Sequence, residues 1–309
     1  MQWLRPLGWV GRWMLRLLYG GGAAAVLALV AVVSLQRKLI YIPNIPGIEP
    51  GYQWAPDSFG LEYEDIYLKA KDGVSLHAWL VWPSSRRSPS SKKSAPVVLF
   101  FQENAGNMSF RLPFVKRLAV LCNCAVMMLS YRGYGASGGS PSQPGLRLDS
   151  QAALDWVTQN DDLSTSKVVL YGRSLGGAVA IHLAEKNLTK ISGIIIENAF
   201  TSIPDMAGAL MGFLAPLVGR GKLFNFLVRD KWDNEAIVSA LRDVPTLLIS
   251  SGKDEMVPAW QMRLLYTARG LDKSEWRFFS EGRHLDLYES HEAEYWPVIG
   301  NFMETISPR

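Results

Sequence analysis

The sequence is poor in metal-binding and cross-linking residues, with only 2 cysteines and 4 histidines among 309 residues. Cys122 and Cys124 stand two apart, a poor spacing for a disulfide bridge. Zinc or cluster binding needs more thiolate and imidazole than the chain offers. Both cysteines read as small buried packers on one face of a strand, cysteine being among the most buried residue types. No metal and no cofactor is expected.

Acidic residues are missing from the first 48 positions, which hold Arg5, Arg12, Arg16, Arg37 and Lys38. The whole chain has a formal charge of +4, so the remainder is slightly acidic. The basic character belongs to one end of the chain. A nucleic-acid partner is not expected, because phosphate binding needs a clustered cationic face. Cationic flanks suit anionic lipid headgroups better.

Charge of either sign is absent from Leu17 to Leu35. As a helix this run spans roughly 28 Å, close to the thickness of a hydrocarbon core. Trp3, Trp9, Trp13 and Tyr19 precede or open it and Tyr41 follows, as in an interfacial aromatic belt. A cleaved signal peptide has a shorter apolar region and a small-residue exit; here the run ends in Gln-Arg-Lys. The run also lacks the polar face of a core helix. Residues 1–38 are therefore expected to form a retained, single-pass membrane anchor with basic flanks. Three preceding arginines favour a cytoplasmic N-terminus and a lumenal or extracellular domain, at the endoplasmic reticulum or plasma membrane. Asn107-Met-Ser and Asn187-Leu-Thr are formal glycosylation acceptors.

A Pro/Gly-rich connector is expected over 39–58, then one domain over 59–309. Alternation at 62–69, the turn Lys71-Asp72-Gly73 and a partner strand at 74–82 predict a hairpin. Residues 84–95 form a polar low-complexity loop. From Pro96 the pattern is α/β, with apolar strands at 97–101, 125–131, 168–171, 191–196, 246–250 and 276–279. Helices fit 110–121, 146–159, 175–187, 258–269 and 290–305. The apolar stretch at about 202–232 interrupts this alternation, with two helical pieces around Gly212–Pro216. It reads as a lid or acyl-binding wall over the carboxyl ends of the strands.

Residues 172–176 are Gly-Arg-Ser-Leu-Gly. Alone this pattern is weak, but it follows an apolar strand and opens a helix of small residues. A nucleophile on such a strained turn is exposed beside unpaired helix N–H groups. Ser174 is the candidate nucleophile, and it needs a base. His77 lies in the hairpin, His182 is too far along the same helix, and His291 falls in a terminal helix. His284, on a loop after an apolar strand, remains. The acid should come between Ser174 and His284 on a post-strand loop. Asp254 fits, with Glu197 as the runner-up and Asp286 as a local loop contact. Backbone N–H groups of Leu175 and Asn104, the latter on the loop after the first parallel strand, are the oxyanion candidates.

At Asn-Ala-Gly-Asn (104–107), Tyr-Arg-Gly-Tyr-Gly (131–135), 172–184 and 197–206, and at Gly-x-Asp-x-x-Val-Pro around Asp254, the chain resembles the membrane-anchored α/β-hydrolases of the bud-emergence-protein type. The resemblance runs from about residue 40 to the C-terminus. It implies a mostly parallel eight-stranded sheet flanked by helices after one transmembrane helix. By position it implies Ser174, Asp254 and His284 as the triad. Related enzymes with these motifs remove acyl chains from protein cysteines, which brings thioesters into the candidate substrates. One departure stands out: Gln102-Glu103 replaces the family's usual His-Gly. An inward-pointing glutamate would oppose a developing oxyanion.

The expected function is hydrolysis of an ester or thioester bearing an apolar acyl group, with a lipid or acylated substrate and the bilayer as partners. A serine peptidase uses the same triad. A membrane scaffold with a weakened site is the non-enzymatic alternative, and Gln102-Glu103 is the feature that favours it.

Overall fold

The computed structural model describes residues 9–83 and 95–307. Arg5, Trp3 and nearly all of the expected 84–95 loop lie outside them. Helix α1, Trp9–Ile40, is 32 residues long, and its most apolar window has a mean hydropathy of 2.1 and no buried residue. It continues two residues past the expected end of the anchor. At its exit, Ile42 forms a parallel bridge with Ala105.

Strands β1 (Glu62–Lys69) and β2 (Ser75–Trp82) form the expected hairpin. Its turn places Gly73 at φ 85°, a conformation glycine adopts without strain. Strands β3 (Val97–Phe101), β4 (Ala125–Leu129), β5 (Val168–Arg173), β6 (Gly193–Glu197), β7 (Thr246–Ser251) and β8 (Ser274–Phe279) complete one sheet of order β1-β2-β4-β3-β5-β6-β7-β8. It is antiparallel at β1-β2-β4 and parallel from there on.

Continuous apolar strands are explained by two cores. Val97, Leu99 and Phe101 face one and Val98 and Phe100 the other, as strand alternation requires. Helices α2 (Leu112–Leu121) and α9 (Glu292–Ile306) cover the second core; α3 (Gln143–Gln159), α4 (Leu175–Lys186) and α7 (Ala259–Arg269) cover the first. Helix α5 (Ile203–Leu210) follows β6, and α6 (Asn234–Val238) precedes β7. The terminal helix expected at 290–305 is α9, and a short helix α8 (Leu287–Ser290) precedes it, with His291 between them.

Three expectations need correction. The 202–232 segment holds one α-helix, α5, and not two; beyond Gly212 it runs through hydrogen-bonded turns and a 3₁₀ stretch at Leu223–Leu227. Pro216, Gly219 and Gly221 interrupt any longer helix there. Neither cysteine lies in a strand: Cys122 caps the end of α2 and Cys124 stands just before β4. Asn107 and Asn187 are buried and hydrogen-bonded, Asn107 Nδ2 to Gly51 O at 2.6 Å and Asn187 Nδ2 to Leu183 O at 2.9 Å. Neither is an accessible glycan acceptor in the folded domain.

Candidate active site

Ser174 lies between β5 and α4 with φ 54° and ψ −118°. Non-glycine residues rarely occupy this region, and they stay there only when their surroundings enforce it. Here the enforcement is visible. The Ser174 N–H donates to Glu197 O at 2.9 Å, and its carbonyl accepts from Gly177 N at 2.9 Å. A Cβ on Gly176 would lie 1.9 Å from Phe101 O, and one on Gly172 would lie 2.1 Å from Gly176 O. The glycines of the motif let β3, β5 and α4 come together.

His284 is buried on the loop after β8, and its Nδ1 lies 2.7 Å from Asp254 Oδ2. The other oxygen, Asp254 Oδ1, accepts from the N–H groups of Met256 and Val257 at 2.8 and 2.7 Å. The carboxylate is thereby fixed by its own turn while it holds the imidazole. Glu197 is turned away into a separate network. The other three histidines are engaged elsewhere. His77 sits between Tyr52 and Asp65. His182 packs edge-on against Trp232 at 5.0 Å. His291 Nδ1 pairs with Ser290 Oγ at 2.8 Å. Asp286 makes the local contact expected of it, accepting from Arg283 N at 3.2 Å.

Two positioning residues escaped the sequence reading. Asn198, at φ 47°, donates to His284 O at 3.0 Å and to Ser251 Oγ at 2.9 Å. Ser251 Oγ in turn donates to Arg283 O at 2.8 Å. Together they hold the histidine loop. Their signal was present, since both follow or end apolar strands beside the nucleophile, but only the fold shows which loop they face.

Leu175 opens α4, where helix N–H groups lack intrahelical partners. Asn104 is held on the facing loop: its carbonyl accepts from Tyr134 Oη at 2.7 Å and Ile42 N at 2.9 Å, and its Nδ2 donates to Ile40 O at 2.9 Å. Gln102 Nε2 donates to Gly106 O at 3.0 Å and closes this loop from within.

Glu103 corrects the expectation of a charge opposing the oxyanion. Its carboxylate is buried and paired with Arg111 and, at 3.2 Å, with Arg173. Burial would raise its pKa, but the two guanidinium groups outweigh that and hold it below the usual carboxylate range. Arg173, the residue before Ser174, also lies 3.1 Å from Glu197 Oε1 and over the Phe114 ring at 4.3 Å. Tyr171 and Tyr295 both donate to Glu197 Oε2. Burial pushes both phenols well above their ordinary pKa, with Glu197 adding to the effect. Two carboxylates and two guanidinium groups thus neutralise one another beneath the turn. Among the described residues, no group of three or more His, Cys, Asp or Glu side chains converges as metal donors.

The family model described as "Alpha/beta hydrolase family" matches residues 105–296. The chain is 42% identical to the α/β-hydrolase domain-containing protein WAV2 of Arabidopsis thaliana, covering 94% of this chain and 95% of that one. It is 36% identical to protein bem46 of Schizosaccharomyces pombe, covering 92% of each. It is 32% identical to the uncharacterized membrane protein YNL320W of Saccharomyces cerevisiae, covering 94% and 97%. Among solved structures, a Pyrococcus furiosus esterase superposes with a TM-score of 0.68 at 18% identity, over 87% of this chain and 98% of its own; at that identity the likeness speaks for the fold alone. The chain belongs to the α/β-hydrolase family, among its bem46-type members.

Proposed function

We propose that this protein is a membrane-anchored serine hydrolase that cleaves an ester or thioester with an apolar acyl group. The observation that carries the reading is a buried His284 held at 2.7 Å by Asp254, on a loop at the same, carboxyl end of the parallel strands as the strained Ser174 (φ 54°). In this reading Ser174 Oγ attacks the acyl carbon while His284 Nε2 takes its proton. Asp254 keeps the productive tautomer and stabilises the imidazolium. The N–H groups of Leu175 and Asn104 receive the oxyanion. Collapse expels the alcohol or thiol, protonated by His284, and water then hydrolyses the acyl-serine by the reverse proton path.

Anchoring is supported by the length and apolarity of α1 and by the Saccharomyces cerevisiae relative, which is named a membrane protein. A cytoplasmic N-terminus, with the domain on the far side of an endoplasmic reticulum or plasma membrane, follows from the charge bias. Against the scaffold alternative, Gln102 Nε2 and the Glu103 carboxylate each have structural partners within the domain.

Labelling by a fluorophosphonate probe tests the catalytic reading. The full chain should label at Ser174, and Ser174→Ala should not. Equal labelling of both, or none of the wild type, overturns it. A panel of acyl esters, acyl thioesters and peptide amides then identifies the scissile bond.

A further inference from the structure

Between the domain-proximal turns of α1 and the 202–232 segment lies a cavity of about 200 Å³. Val32, Val33 and Gln36 form part of its helix wall; Ala207, Leu214 and Val218 form part of the opposite wall. Gln36 is the one residue of the lining with a polar side chain, and its amide is engaged elsewhere. Its Nε2 donates to Val33 O and Leu227 O, and its Oε1 accepts from Arg229 N. The surface left to a ligand is hydrocarbon, which suits an apolar chain and not water.

Three observations select the occupant. One wall is the helix whose apolar length matches a bilayer, so the cavity stands beside lipid tails. The segment that forms its other wall also exposes Leu210, Phe213, Leu223 and Phe226, large apolar side chains of the kind that meet membranes or partners. Its inner end is closed by polar residues: Arg37 makes two 3.0 Å hydrogen bonds to buried Asp230, which also accepts from Tyr41 Oη. This is the apolar-to-polar gradient of a leaflet approaching its headgroups. Ile40 lines the cavity and its carbonyl holds Asn104, so the site ends one residue from the oxyanion loop.

We propose that this cavity binds the aliphatic tail of a bilayer lipid, with α1 and the 202–232 segment as its two walls. The proposal rests on reading α1 as a membrane span. It does not require Ser174 to react.

The test uses the full chain in nanodiscs of palmitoyl-oleoyl phosphatidylcholine. A small fraction of the lipid is phosphatidylcholine with a diazirine midway along one acyl chain. After irradiation, mass spectrometry should find cross-links on the half-buried or buried cavity residues Ala207, Leu214 and Val218. Ser174→Ala should give the same map, which separates this site from the catalytic reading. Ala207→Trp and Val33→Trp, which fill the cavity from opposite walls, should each lower those cross-links about tenfold, the ratio for roughly 1.4 kcal/mol of lost affinity. Cross-links confined to Phe213, Leu223 and Phe226 in the wild type would show a face resting on the bilayer and overturn the proposal, whether or not the variants fold. Extraction of the chain by alkaline carbonate would overturn the anchor and the tail site together.

Discussion

Asn104 Nδ2 donates to the carbonyl of Ile40 at 2.9 Å, joining the last residue of the long apolar helix to the loop that faces Ser174. The contact is reinforced by the Ile42–Ala105 bridge and by Gly106 N donating to Ile42 O at 2.9 Å. The helix exit is therefore part of the wall of the candidate oxyanion site. If α1 lies in a membrane, the bilayer fixes the segment that fixes the loop.

Asn104→Ala keeps the backbone N–H and removes only this tie. Its fluorophosphonate labelling rate should fall by about tenfold, some 1.4 kcal/mol of transition-state positioning, without loss of fold by circular dichroism. An unchanged rate would show that the backbone contacts alone hold the loop.

The nucleophile turn was legible in the sequence because glycine and strand–helix order are local signals. His284 was legible because only four histidines compete for the role. Asp254 was legible from its post-strand loop. What could not be read was the meaning of Gln102-Glu103. Its partners, Arg111, Arg173 and Gly106, arrive from three different elements or turns, and pattern alone does not say where a side chain points. The same limit hid Asn198 and Ser251. In the 202–232 segment, apolar composition suggested helix, but the breakers Pro216, Gly219 and Gly221 decided the local structure.

Restoring the family's usual pair by Gln102→His/Glu103→Gly should not improve catalysis. It would leave the Arg173 and Arg111 guanidiniums without one of their carboxylates, and breaking a buried ion pair costs about 3–5 kcal/mol. Urea unfolding in detergent micelles should show a loss of that order. Combining Glu103→Gln with Arg173→Met should cost less than the sum of the two single changes, since these residues are in contact. Strict additivity would mean that Glu103 and Arg173 are not coupled.

The close approach of α4 to β3 gives a sharper contrast. Gly176→Ala would force its Cβ into backbone atoms of Phe101, and should cost at least about 3 kcal/mol, the upper part of the range for overpacking. Gly300 lies inside α9 with nothing within 4 Å of an added Cβ. Gly300→Ala should be neutral or stabilise by up to about 1 kcal/mol through helix propensity. Comparable urea midpoints for the two variants would refute the packing described around the turn.

His182 should make stability depend on pH. It is buried on α4 with no hydrogen-bond partner for either ring nitrogen, edge-on to Trp232. Burial, followed by the Arg147 and Lys186 charges, lowers its pKa from 6.5 to about 4. Between those two values the unfolded chain binds a proton that the folded chain refuses, so stability rises with pH across the window and is lost as pH falls through it. The full effect is roughly 3 kcal/mol, about 2 of it already lost at pH 5. His182→Phe keeps a ring against Trp232 and removes the titration. Urea midpoints at pH 7 and pH 5 should therefore fall further for the wild type than for His182→Phe, and parallel falls would mean that His182 is protonated in the folded state or titrates as it does unfolded.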